Sequence, residues 1–159
     1  VSDVEQNDDV LFKPLFSYEM VGICSKDHPL ANKEVWQAED FAEETWVTYP
    51  VPDDMLDLYR QVLKPKGINP PRRTTELTIA LIQLVASRRG IATVPYWAAL
   101  PYLEKGYVVA RKITEEGLYS NLYAAIRKED ANLAYIEDFH QTVKAQSFST
   151  LPGLSVLAL

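Results

Sequence analysis

Residues 11–25 carry apolar side chains at Leu11, Phe12, Leu15, Phe16, Met20, Val21 and Ile23, with one proline, Pro14. The run predicts one long strand or two short ones. Asp27-His28-Pro29 then breaks it. Residues 37–43 have room for a short helix, and residues 45–49 predict a second strand that Pro50 and Pro52 end. Further on, Leu56, Tyr59 and Leu63 recur at helical spacing, which predicts a helix over 55–64 with Asp53 and Asp54 at its start. Pro65 and Gly67 stop it.

A third strand over 72–77 leads into a helix over 78–89, closed by Arg88, Arg89 and Gly90. Between Leu77 and Ala86 only Thr78 and Gln83 are polar, so this helix is expected to lie buried between a sheet and a neighbouring element. Ile91 to Val94, ended by Pro95, has the pattern of a buried parallel strand. A helix over 96–104 follows, stopped by Gly106. Strands over 107–110 and 122–127 come next, then an amphipathic helix over 132–145 with Leu133, Ile136 and Val143 turned inward. Strands alternating with helices through short loops predict an α/β fold with a mainly parallel sheet. Residues 145–159 hold no charge yet collect Leu151, Leu154, Val156, Leu157 and Leu159, a tail that either packs on something or leaves an apolar patch.

At 159 residues, 47% hydrophobic and 24% charged, the chain has the size and balance of one globular domain. Its 16 basic residues face 22 acidic ones, for a net charge of -6, opposite in sign to a surface that grips DNA. No stretch approaches the roughly 18 apolar residues of a spanning helix, so no membrane partner is expected. A lone cysteine, Cys24, agrees with a reducing, cytoplasmic compartment.

Little of the chemistry is catalytic. Cys24 with Asp27 and His28 has the residue types of a thiol nucleophile, base and carboxylate, but a cysteine ending an apolar strand is the expected pattern of a core residue. His28 and His140 are too far apart in sequence for ligand-type spacing, so no metal is expected. No GxGxxG or Walker A pattern occurs, so no nucleotide cofactor is expected either. Asp53-Asp54 and Glu115-Glu116 read as solvated caps or turns rather than acid and base pairs. One constellation remains: Thr74-Thr75-Glu76-Leu77-Thr78 spans the carboxyl end of a strand and the first turn of a helix, where open parallel sheets bind ligands. Thr48-Tyr49-Pro50 and Val94-Pro95-Tyr96 end neighbouring strands and bring hydroxyls and an aromatic ring to the same crevice. The threonines cap a helix, bind a ligand, or do both.

Three segments in order, Asp27-His28-Pro29-Leu30-Ala31, Gly90-Ile91-Ala92 running to Pro95, and Leu122-Tyr123-Ala124 running to Arg127, resemble the effector-binding domain of LysR-type transcriptional regulators. Tyr49-Pro50-Val51, Leu81-Ile82-Gln83, Trp97 and Gly117-Leu118 are most similar to the methionine-biosynthesis members of that family. The resemblance implies a periplasmic-binding-protein-like (type 2) effector domain with its second lobe complete and its first only partial. Residues 1–20 would be a remnant of the first lobe and a crossing strand, 21–127 the second lobe, and 128–159 the return helix and tail. It further implies a fragment, with first-lobe strands, a linker helix and a winged-helix DNA-binding domain outside it. The implied effector is homocysteine or a similar small molecule, at Ser2, Thr48, Tyr49, Thr75, Glu76, Leu77, Thr78 and Pro95. Ser2-Asp3 would end a first-lobe strand. The full-length protein would be a homodimer or homotetramer, with residues 55–64 in the interface, and would not be an enzyme. The alternative is a solute-binding protein of the same fold.

Overall fold

The computed structural model describes residues 1, 2, 4 and 7–157. Asp3 and Leu159, singled out above, lie outside them. The chain forms two compact units, one of Val1–Glu19 with Tyr119–Leu159 and one of Met20–Leu118. Residues 119–127, assigned above with the second lobe, cluster with the first unit.

The Met20–Leu118 unit is a sheet covered on both faces. Its strands are the end of β1 (Val10–Cys24), β2 (Val35–Trp36), β3 (Trp46–Thr48), β4 (Arg72–Thr74), β5 (Ile91–Pro95) and β6 (Val109–Ile113), in the order β2-β6-β1-β5-β3-β4. Because alternate side chains of a strand point to opposite faces, the residues sort into two cores. Val21, Ile23, Val47, Ala92 and Val94 pack with Leu81, Ile82, Val85 and Ala99 of helices α1 (Thr78–Ala86) and α2 (Tyr96–Glu104). Cys24, Trp46 and Ile91 join Trp36, Phe41, Leu58 and Leu63 on the other face. Each large side chain taken fully from water there contributes about 1.5–3 kcal/mol relative to exposure.

Several expectations change in three dimensions. The sheet is mixed rather than mainly parallel. β3 runs parallel to β4 and β5, and β2 to β6, but β1 is antiparallel to β5 and β6. The expected helix over 55–64 is a broken path: a 3-10 turn at Asp53–Met55, a π turn at Tyr59–Leu63 and another 3-10 turn at Lys64–Lys66. Ion pairs line its surface. Asp53 pairs with Arg72, Asp54 with Lys64 at 2.6 Å and Glu39 with Lys66 at 2.8 Å. Helix α1 is not buried all round, since Leu77 and Ile79 are 63% and 56% exposed while Leu81, Ile82 and Val85 fill the core. The strand expected over 107–110 forms at Val109–Ile113.

In the other unit, β1 is flanked by β7 (Leu118–Arg127) and β8 (Leu154–Ser155), the latter antiparallel at Ser17 and Tyr18. Part of the uncharged tail is therefore an edge strand. Helix α3 (Ala134–Thr150) runs past its predicted end. Its inward face is Ile136, His140 and Val143, with His140 Nε2 3.2 Å from the Pro14 carbonyl. Leu133 is 40% exposed and precedes the helix instead of packing inside it. Lys13 bonds the Glu137 carboxylate and holds its pKa below the usual range, an exposed tie lost as pH falls through that lowered value.

Two glycines are dictated by packing. A Cβ on Gly22 would overlap the six-membered ring of Trp36, which is wholly buried and donates its indole N–H to the Leu30 carbonyl at 3.0 Å. At Gly90, φ is +149° and a Cβ would drive into the Thr45 carbonyl, with Val47 Cγ2 2.9 Å away. Gly22→Ala and Gly90→Ala are each expected to lower stability by about 1–3 kcal/mol in urea denaturation, Gly90→Ala the more, because backbone cannot step aside as a ring can. Unchanged midpoints would show that the sheet does not close on Trp36 and Thr45 in this way.

Candidate functional site

Because β3, β4 and β5 run in one direction, their carboxyl ends lie at one edge of the sheet. The β3–β4 ladder pairs Thr48 with Thr74 and continues one bond further, where the Thr75 N–H donates to the Thr48 carbonyl at 3.0 Å. The chain then turns through Glu76 and Leu77 into α1, and β5 passes directly from Pro95 into α2. Neither helix start carries a side-chain cap. The first-turn N–H groups of both helices point toward the carboxyl edge, with the positive ends of their dipoles.

The edge is tied together by hydroxyls. Tyr49 Oη and Thr78 Oγ1 lie 2.6 Å apart, joining the end of β3 to the first residue of α1 across 29 positions of sequence. Thr48 is buried, and its hydroxyl donates to the Tyr49 carbonyl at 3.2 Å. Thr75, Thr78, Tyr49 and Pro95 are half-buried, whereas Glu76 and Leu77 stand exposed on the turn. Thr48, Tyr49, Thr75 and Thr78 are thus brought together by bonds, and Glu76, Leu77 and Pro95 by adjacency. Ser2 belongs to the other unit, where its neighbour Val1 bonds to Tyr123. The edge thus gathers uncapped first-turn N–H groups, several hydroxyls and one exposed carboxylate.

The remaining candidates are structural. Cys24 is wholly buried, and that burial pushes its thiol up to about 11, against the opposing charge of Arg111. His28 Nδ1 accepts the Leu30 N–H at 3.1 Å, so its ring proton sits on Nε2, 3.2 Å from Glu44. The imidazole caps the 3-10 turn Pro29–Asn32. Among the described residues no three His, Cys, Asp or Glu side chains are placed to hold a metal ion. The sequence did not disclose Arg72, whose guanidinium lies 4.9 Å over the ring of Trp46 and 5.4 Å over that of Tyr59, because its partners come from distant segments.

The family profile described as LysR substrate binding domain matches residues 1–147. The chain belongs to the LysR family. Over all 159 residues it is 83% identical to the HTH-type transcriptional regulator MetR of Haemophilus influenzae, covering 52% of that protein. It is 37% identical to MetR of Salmonella typhimurium over 151 residues, 95% of this chain and 47% of that one. The chain therefore spans about half the length of the curated relatives it matches. Among solved structures, the regulatory domain of MetR, a LysR family regulator from N. meningitidis, superposes with a TM-score of 0.93 at 63% identity. That match covers 99% of this chain and 73% of the other. The effector-binding domain of QuiR, solved with shikimate, shares the fold with a TM-score of 0.75 at 23% identity, over 91% and 70% of the two chains. The fold is the periplasmic-binding-protein-like type of LysR regulatory domains. No helix among the described residues is long and apolar enough to cross a membrane.

The thiol leads to a chemical test. At pH 8 the folded LysR domain is expected to leave Cys24 unmodified by iodoacetamide over an hour, and the urea-denatured chain to be alkylated fully, read by intact mass. Rapid labelling of the folded protein would mean that Cys24 is an accessible thiol after all.

Proposed function

We propose that this chain is the effector-sensing part of a MetR-type regulator that binds homocysteine or a related small amino-acid metabolite to control methionine-biosynthesis genes. The observation that carries the proposal is the Tyr49–Thr78 hydroxyl pair at 2.6 Å, which fixes the uncapped start of α1 beside the carboxyl end of β3. The effector carboxylate takes the first-turn N–H groups and the hydroxyls of Thr75 and Thr78. Its ammonium takes Glu76, exposed one residue before Leu77. Thr48 and Pro95 shape the crevice.

The acidic charge of this part, -6, agrees with DNA contact through a separate winged-helix domain. In the full-length protein, a cytoplasmic homodimer or homotetramer, the Met20–Leu118 unit supplies most of the second lobe and the other unit belongs to the first. Effector binding shifts which arrangement of lobes and subunits is favoured.

Calorimetric titration of the full-length regulator with homocysteine tests the assignment. Glu76→Ala and Thr78→Val are each expected to weaken binding about tenfold or more, the loss of one hydrogen bond to a charged group, while Glu115→Ala leaves it unchanged. Unaltered affinity in both variants would remove Glu76 and Thr78 from the site. No heat with the unmodified protein would rule out homocysteine itself and leave the fold and family assignment standing.

A further inference from the structure

The tie between Tyr49 and Thr78 has a direction. Tyr49 directly follows β3, and its ring packs against the core that holds Val47, Leu81, Ile82 and Val85. Its carbonyl accepts the Thr48 hydroxyl at 3.2 Å and the Val51 N–H at 2.9 Å. Ring and backbone are thereby held, with Oη 2.6 Å from Thr78 Oγ1. A phenol is a stronger acid than an aliphatic alcohol, so it is the better donor of the two and the poorer acceptor. Tyr49 O–H therefore donates and Thr78 Oγ1 accepts. A hydroxyl carries one hydrogen. That of Thr78 is left without an acceptor among the described residues.

The usual outlet for such a hydrogen is not taken. A threonine within a helix bonds its hydroxyl back to a carbonyl three or four residues earlier. Thr78 is the first residue of α1, so those carbonyls belong to Thr75 and Thr74, outside the helix, and its hydroxyl meets Tyr49 instead. Two hydroxyls in series polarise each other, which makes the outer O–H a stronger donor than a lone threonine would be. Without the phenol, the Thr78 hydroxyl would turn freely and accept as readily as it donates.

We infer that Tyr49 is a positioning residue: by donating to Thr78 Oγ1 it commits the Thr78 O–H to the effector. The inference rests on the effector reading proposed above, in which the Thr78 hydroxyl meets the effector carboxylate, and adds an orientation to it. With its oxygen occupied by Tyr49, Thr78 is a donor only. It takes a carboxylate oxygen and turns away an ammonium, which has hydrogens alone to offer. The effector therefore lies with its carboxylate at Thr78 and its ammonium at Glu76, not the reverse. Tyr49 touches no atom of the effector in this arrangement and acts through Thr78.

Calorimetric titration of the full-length regulator with L-homocysteine tests this on the unmodified protein, Tyr49→Phe, Thr78→Val, Thr78→Ser and the Tyr49→Phe/Thr78→Val double variant. Phenylalanine keeps the ring and removes only the donor. Tyr49→Phe is expected to weaken binding about fivefold, Thr78→Ser to leave it within about twofold because a hydroxyl remains, and the double variant to bind no more weakly than Thr78→Val. A ring that merely shaped the crevice would cost the same with or without the Thr78 hydroxyl. Unaltered affinity in Tyr49→Phe, or a further loss of the same size in the double variant, overturns the inference alone and leaves the effector reading standing. No heat with the unmodified protein removes both. Urea denaturation without effector gives a second check that needs no binding. The stability losses of Tyr49→Phe and Thr78→Val are expected to overlap in the double variant, as for two ends of one bond, and fully additive losses would mean that the hydroxyls are not joined and overturn the inference.

Discussion

The Met20–Leu118 unit depends on one sheet being covered on both faces at once. Val21 and Ile23 face the two helices, while Gly22 and Cys24 face Trp36 and the irregular segments around it. Strict alternation along a strand leaves no freedom in this assignment, because a one-residue slip would exchange the faces and bring Val21 or Ile23 against the Trp36 ring. Gly22 is where the constraint is tightest. A missing side chain on β1 lets a tryptophan come down onto the backbone, and the indole N–H is satisfied by Leu30 in the same step.

That two-sided packing also places the candidate site. With α1 and α2 held on one face by Leu81, Ile82, Val85 and Ala99, their starts must open at the edge where β4 and β5 end. Parallel pairing of β3 with both neighbours brings Thr48 and Tyr49 to that edge, and the Tyr49–Thr78 bond completes the tie. The polar edge therefore follows from apolar packing elsewhere. This is the usual economy of open α/β sheets, in which rigid layers carry a variable crevice.

Some parts were plain in the chain and others were not, for local reasons. The helix Tyr96–Glu104 and the strand Ile91–Pro95 stand where the pattern put them, because Pro95 and Gly106 punctuate an apolar stretch. The regular helix that the spacing predicts over 55–64 does not form. Leu56, Tyr59 and Leu63 do pack inward, but the backbone that carries them runs through 3-10 and π turns and ends at Pro65 and the left-handed Gly67. Leu77 and Ile79 look like core in sequence and are exposed, since hydrophobicity alone does not say which side of a helix meets the sheet. The threonines at the strand end were legible as a place where a ligand binds or a helix is capped. Their link to Tyr49 was not, because a bond across 29 residues leaves no local trace.

The sequence by itself determined most of the helices and strands, their order, the acidic character and the family likeness, because each is written in short-range pattern: apolar period, glycine and proline stops, charge counts and ordered motifs. Only the tertiary structure decided the direction of β1 against β5 and β6, the closure of Trp36 on Gly22, and the stacking of Arg72 on two rings. Each of these joins residues distant along the chain. Such pairings are selected by the joint packing of several elements, and no single segment holds enough of the energy to announce them.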